Sequence, residues 1–162
     1  MIEDALQPWG EVRRRRWGDV VSIELRGKDE VFSFQIAERS AQLQSPEPLP
    51  WTGVLLDSFP DLVASKMVAL VERGAPRDFR DIHAVCQAGL AGAGQCWQWW
   101  RQRQQLAGSD TDTTRARLAV ETHLARIATQ RPLDGIDDVA ERMEARRVRA
   151  WLHGEFLDAL LD

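Results

Sequence analysis

The chain has 162 residues, a formal net charge of −4, and ordinary apolar and charged fractions of 44% and 28%. That suits one domain, or one small domain with a helical extension, burying roughly 70% of its unfolded surface. The acidic balance excludes a surface that coats nucleic acid throughout, and the lack of any apolar run of 18 residues excludes a helical membrane span.

Met1-Ile2-Glu3-Asp4 has neither the basic nor the apolar region of a secretory leader, so the expected location is the cytoplasm. Residues Ile2 to Trp9 suit two helical turns ended by Pro8 and Gly10. Next come three short segments rich in Val, Ile, Phe and Trp, at 12–17, 20–25 and 31–36, separated by Gly18-Asp19 and Gly27-Lys28-Asp29. This pattern predicts a three-stranded antiparallel meander. In its third strand Phe32, Phe34 and Ile36 share an apolar face that needs a cover, opposite Val31, Ser33 and Gln35. The run Arg13, Arg14, Arg15, Arg16 falls in the first strand. It reads either as arginines alternating across two faces or as a phosphate-facing nucleic-acid patch.

Pro46, Pro48 and Pro50 favour an extended connector, after which residues 51–56 suit a final edge strand. Asp57-Ser58 offers cap oxygens to a helix beginning near Phe59-Pro60, with Leu62, Val63, Met67 and Leu70 along its apolar stripe. Gly74-Ala75-Pro76 ends that helix, and a second spans 78–87. A third, at 95–106, carries Trp97, Trp99 and Trp100, whose indoles cannot all share one face; they suit either a partner contact or packing on the last two helices. Those two helices span about 115–129 and 137–161. Their predicted apolar faces are Leu118, His123, Leu124 and Ile127, then Val148, Trp151, Leu152, Phe156 and Leu160. The outline is α+β: a small antiparallel sheet region over residues 1–58, then a bundle of about five helices over 59–162. Cys86 and Cys96 lack zinc-ligand spacing and read as buried thiols.

Among 21 basic residues only Lys28 and Lys66 are lysines. Lys66 and Arg73 lie seven apart on one helical face, and beyond the turn Arg77, Asp78 and Asp81 open the next helix. Two cations therefore face two carboxylates across a tight turn. Such a group serves either as a salt-bridge brace between helices or as a phosphate-facing surface.

The order of residues from Asp57 to Ile82, with Lys66, then Ala69 and Leu70, Arg73, a turn, and Arg77-Asp78-Phe79-Arg80-Asp81, resembles the signature of the AbiEii/AbiGii abortive-infection nucleotidyltransferase toxin family. The resemblance covers about residues 1–90 and implies a sheet belonging to a polymerase-β-like nucleotidyltransferase fold. It implies catalytic roles for Lys66, Asp78 and Asp81, with Lys66, Arg73 and Arg77 meeting nucleotide phosphates. It also implies a phage-defence or toxin–antitoxin setting and an RNA acceptor such as tRNA.

Nucleotidyl transfer in that family draws on divalent metal held by an Asp-x-Asp pair and a third carboxylate. No Gly-Ser step followed by Asp-x-Asp precedes the meander, and Ser33 and Gln35 occupy the strand position of the third acid. Asp110-Thr111-Asp112 lies in a linker and reads as a solvated loop or helix cap. The expectation is thus a chain with no metal ligands of its own, truncated and catalytically incomplete alone. Mg²⁺ and a nucleoside triphosphate would bind only where a protein partner, or self-association covering the sheet, completes the site. The rival expectation is a non-catalytic nucleic-acid- or protein-binding scaffold derived from the family.

Overall fold

The computed structural model describes residues 2–18, 20–37 and 41–160; Asp19 of the first predicted turn and Leu161 of the last predicted helix lie outside them. The chain forms two compact units, Met1–Ser40 and Ala41–Asp162. No helix among the described residues is long and apolar enough to cross a membrane.

In the first unit, helix α1 (Ile2–Leu6) runs into a 3₁₀ turn at Gln7–Trp9. Strands β1 (Glu11–Trp17), β2 (Val20–Arg26) and β3 (Val31–Ala37) then form the expected antiparallel meander. Arg14, Ile23 and Phe34 lie abreast, as do Val12, Leu25 and Phe32, which gathers the apolar side chains on one face. Ile23 is buried, whereas Phe32 and Ile36 remain exposed. Gly10 is required by close approach: a Cβ there would strike the Arg26 carbonyl.

The second unit opens with a two-residue ribbon, β4 (Glu47–Pro48) paired with β5 (Leu55–Leu56). Residues 51–56 therefore do not extend the three-stranded sheet. The Leu49 N–H bonds the Val54 carbonyl at 2.8 Å, and Gly53 adopts φ +67°, folding the segment into its own hairpin. Pro48 has no N–H to donate, which keeps the ladder short.

Five helices follow: α2 (Phe59–Glu72), α3 (Pro76–Gln87), α4 (Ala93–Leu106), α5 (Thr113–Gln130) and α6 (Val139–Trp151). Their starts are chemically marked. Ser58 Oγ accepts the Asp61 N–H at 3.2 Å, Asp112 Oδ1 accepts those of Thr114 and Arg115, and Asp138 Oδ1 accepts that of Glu141. Asp112 is thus the helix cap that its linker position predicts. Beyond α6 a π-type turn, Leu152–Phe156, is kinked where Gly154 leaves helical dihedrals, which divides the single long helix expected there.

One core joins these helices: Val63, Met67 and Leu70 of α2, Phe79 and Ile82 of α3, Trp97 and Trp100 of α4, Val120 and Leu124 of α5, and Val148, Leu152 and Phe156 at the end of the chain. Trp97 Nε1 donates to the Phe156 carbonyl at 2.8 Å, and the two rings lie 4.9 Å apart. Trp99 instead meets Phe59 edge-on at 5.9 Å. The tryptophan helix therefore packs inward, two indoles on the core and one on the start of α2. Leu62 and Leu118 are exposed rather than on their predicted stripes, because Ala64 and Ala116 let the backbones approach along neighbouring lines and turn those leucines outward.

Candidate functional site

Helices α2 and α3 bring the predicted constellation together. Asp78 is fully enclosed. Its Oδ2 accepts Arg73 Nε at 2.9 Å and its Oδ1 accepts Arg73 Nη2 at 3.1 Å, a two-pronged pairing. Lys66 Nζ reaches Asp78 Oδ1 at 3.4 Å and Asp81 Oδ2 at 2.8 Å. The i, i+7 spacing sets both cations on one side of α2, and the i, i+3 spacing sets both carboxylates on one side of α3.

Exposure grades across this cluster. The Asp78 side chain is 0% exposed, Lys66 37%, Asp81 51% and Arg73 52%. Burial pushes the Asp78 carboxyl up, but the Arg73 hydrogen bonds and the charges of Arg73 and Lys66 outweigh it and leave its pKa below the ordinary carboxylate value. Hydrogen bonding to Asp81 holds the Lys66 ammonium above its ordinary value.

A brace from α5 fixes the turn between the two helices. Arg126 Nη2 donates to the Arg73 carbonyl at 2.7 Å and more weakly to that of Gly74 at 3.4 Å, covering carbonyls at the end of α2. His123 Nε2 lies 3.0 Å from the Val71 carbonyl. Gly74 has φ +55°, and a Cβ there would enter the His123 ring. A hollow of about 310 Å³ lies against this turn, lined by Arg73, Gly74, Arg126 and Arg131 among others. It shares Pro76, Ile127, Gln130 and Arg131 with a chamber of about 720 Å³ floored by Phe79, Leu124 and Val148.

Arg77 is exposed on the first turn of α3, and its side chain makes no hydrogen bond to the other described residues. Arg13 to Arg16 lie in the other compact unit. Arg13 pairs with Glu11 at 2.9 Å, Arg14 with Glu3 at 3.2 Å, and Arg16 Nε donates to the Gly18 carbonyl at 3.0 Å. Their side chains alternate between faces, Arg13 and Arg15 beside Glu24 and Ser22, Arg14 and Arg16 beside Ile23 and Val21.

Three contributors escape a reading of the sequence. His123 and Arg126 act on a turn some 50 residues away, and no local pattern encodes such a contact. Asp61 is enclosed near the start of α2, where it accepts N–H groups from Leu43 at 2.9 Å and Gln44 at 3.0 Å and lies 3.7 Å from Arg103. Its place within a cap signal, three residues after Ser58, was the one available clue.

The donor set does not suit a resident divalent ion. Both acids of the cluster are engaged by Lys66 and Arg73, and among the described residues no three His, Cys, Asp or Glu side chains converge. The polar face of β3 presents Ser33 and Gln35, neutral oxygens opposite Glu24 and Ser22.

A family model described as nucleotidyl transferase AbiEii toxin, type IV TA system, matches residues 12–152. No curated protein and no solved structure gives a significant match.

Proposed function

The chain belongs to the AbiEii family of nucleotidyl transferase toxins from type IV toxin–antitoxin systems, and on that premise we propose that Lys66, Arg73, Arg77, Asp78 and Asp81 form the phosphate-facing side of a nucleotidyl-transfer site used in cytoplasmic phage defence. The observation that carries this reading is the enclosure of Asp78 between two cations that stay partly open to solvent. An ammonium has three donors and Lys66 directs two of them at carboxylates; a guanidinium has five, and Arg73 directs two at Asp78. The buried anion orients both groups while leaving them donors for a phosphate. Exposed Arg77 and the arginine-lined hollow beside Gly74 extend that cationic surface.

In this reading the site positions an anion, because Lys66 and Arg73 already engage both of its carboxylates. In the proposed reaction, carboxylates for the divalent ions come from a protein partner, and the acceptor is an RNA such as tRNA. Lys66 and Arg77 would bind and orient the triphosphate; Asp78 and Asp81 would hold Lys66 in place.

The neutrality of the cluster, two cations balanced by two carboxylates, favours a second reading: a binding scaffold in which the signature serves only as a brace between α2 and α3. Labelled triphosphates incubated with Mg²⁺, tRNA and the purified chain, with and without the product of the neighbouring reading frame, separate the two. Transfer that disappears in Lys66→Ala supports the enzyme. No transfer in any pairing, with nucleic-acid retention lost when Arg13 to Arg16 are replaced, supports the scaffold.

A further inference from the structure

The sulfur atoms of Cys86 and Cys96 lie 3.9 Å apart, one in the last turn of α3 and the other in the first turns of α4. Cys96 is wholly buried, whereas Cys86 is half-buried. The connecting segment is exposed at Gln87 to Leu90, so the more accessible thiol adjoins a surface loop. A disulfide needs the sulfurs at about 2.05 Å. The remaining approach of about 2 Å falls between the adjoining ends of two consecutive helices.

We infer that Cys86 and Cys96 are a peroxide-reactive thiol pair that closes reversibly into a disulfide locking α3 to α4. The two thiols are chemically unequal. The contact with Cys96 holds the Cys86 thiol below its usual range, against the opposing effects of burial and the Glu155 charge; the same contact, together with burial, pushes Cys96 up. Cys86, the half-buried sulfur that peroxide can reach, is the attacking one and wholly buried Cys96 the resolving one.

Cys86 gives its proton to solvent, and the thiolate attacks one oxygen of hydrogen peroxide, forming an S–O bond as the O–O bond breaks and leaving Cys86 as a sulfenic acid with hydroxide released. That hydroxide takes the Cys96 proton. The Cys96 sulfur then displaces the sulfenic oxygen, which leaves as hydroxide and takes up the equivalent of the proton that Cys86 released, giving the second water. Two thiols and one peroxide give one disulfide and two waters, the peroxide accepting both electrons. Helix α3 also carries Asp78 and Asp81, so the lock fixes the helix that presents both carboxylates to Lys66.

Trypsin supplies a direct readout, because no Lys or Arg lies between Arg80 and Arg101 and both cysteines share the peptide 81–101. The reduced full-length chain is treated with hydrogen peroxide, denatured, alkylated with iodoacetamide and digested. The expected result is a peptide lighter by about 2 Da that takes no alkyl group until dithiothreitol restores two. In Cys96→Ser, Cys86 should accumulate as a dimedone-trappable sulfenic acid, and in Cys86→Ser, Cys96 should stay alkylatable. Two alkylatable thiols after peroxide, oxygen added without loss of the thiol pair, or cross-linking between chains only would overturn the inference.

Discussion

The His123 ring of α5 occupies the space a side chain at Gly74 would need, and its Nε2 lies 3.0 Å from the Val71 carbonyl one turn earlier on α2. The turn that aims Lys66 and Arg73 at α3 is therefore shaped from a third helix. Gly74→Ala adds both a clash and a strained positive φ, each worth about 1–3 kcal/mol. Urea denaturation should show a loss of about 2–4 kcal/mol on those grounds. His123→Ala, combined with Gly74→Ala, should recover part of it; no recovery would show that the ring is not the obstacle.

Asp78 and Asp81 should differ sharply although both meet Lys66. Asp78→Asn removes the enclosed charge that two cations share and should cost about 2–4 kcal/mol. Asp81→Asn touches a half-exposed pair and should cost less than about 1 kcal/mol. Thermal melts of the two variants side by side check the order, and equal losses would contradict the burial gradient.

The Asp78 pKa is lowered on folding, so its contribution to stability is complete above the ordinary carboxylate value of 3.8 and is lost as pH falls through the lower folded value. Lys66 is raised, so its contribution is complete below 10.5 and is lost as pH rises through the higher folded value. Stability measured against pH should therefore fall at acid pH in the wild type, and Asp78→Asn should flatten that acid limb relative to wild type. An acid limb unchanged in Asp78→Asn would show that other carboxylates dominate it.

Replacing Asp61 should free the segment that precedes the β4–β5 ribbon. Its carboxylate receives the Leu43 and Gln44 N–H groups, and Arg103 adds a bond to the Ala41 carbonyl at 3.0 Å. In Asp61→Ala, amide exchange at Leu43 and Gln44 should accelerate by an order of magnitude or more, with a loss of about 2–3 kcal/mol from the orphaned buried partners. Unchanged exchange would mean that the ribbon holds the segment without it.

The legible parts of this fold were those written in local periods and local chemistry. Alternation along Phe32, Phe34 and Ile36 and the turn glycines identify the meander, and Ser58 and Asp112 mark helix starts. The i, i+7 and i, i+3 spacings alone place Lys66, Arg73, Asp78 and Asp81 in one cluster. Other features depend on contacts between distant segments. Whether Leu62 or Ala64 faces inward is decided by how closely α2 meets its neighbours, and the brace from His123 and Arg126 joins residues some 50 positions apart. The hairpin at Trp51 to Leu56 was masked because a short apolar run looks alike whether it joins a sheet or pairs with a nearby proline segment.

The central claim, that Lys66 serves phosphate rather than only its two aspartates, is tested by binding of a nucleoside triphosphate to the double variant Lys66→Met/Asp81→Asn. This pair of changes leaves the net charge of the cluster unaltered and removes the half-exposed Lys66–Asp81 pair together with the longer Lys66–Asp78 contact, while Arg73 keeps its two bonds to Asp78, so the fold should survive with a loss of about 1–3 kcal/mol. Isothermal titration with ATP and the other triphosphates, run with Mg²⁺ and the product of the neighbouring reading frame, should show affinity at least about tenfold weaker than wild type, a difference of about 1.4 kcal/mol. Affinity equal to wild type in the double variant, with Asp78 still held by Arg73, would contradict the phosphate-facing account and leave the cluster as a brace between two helices.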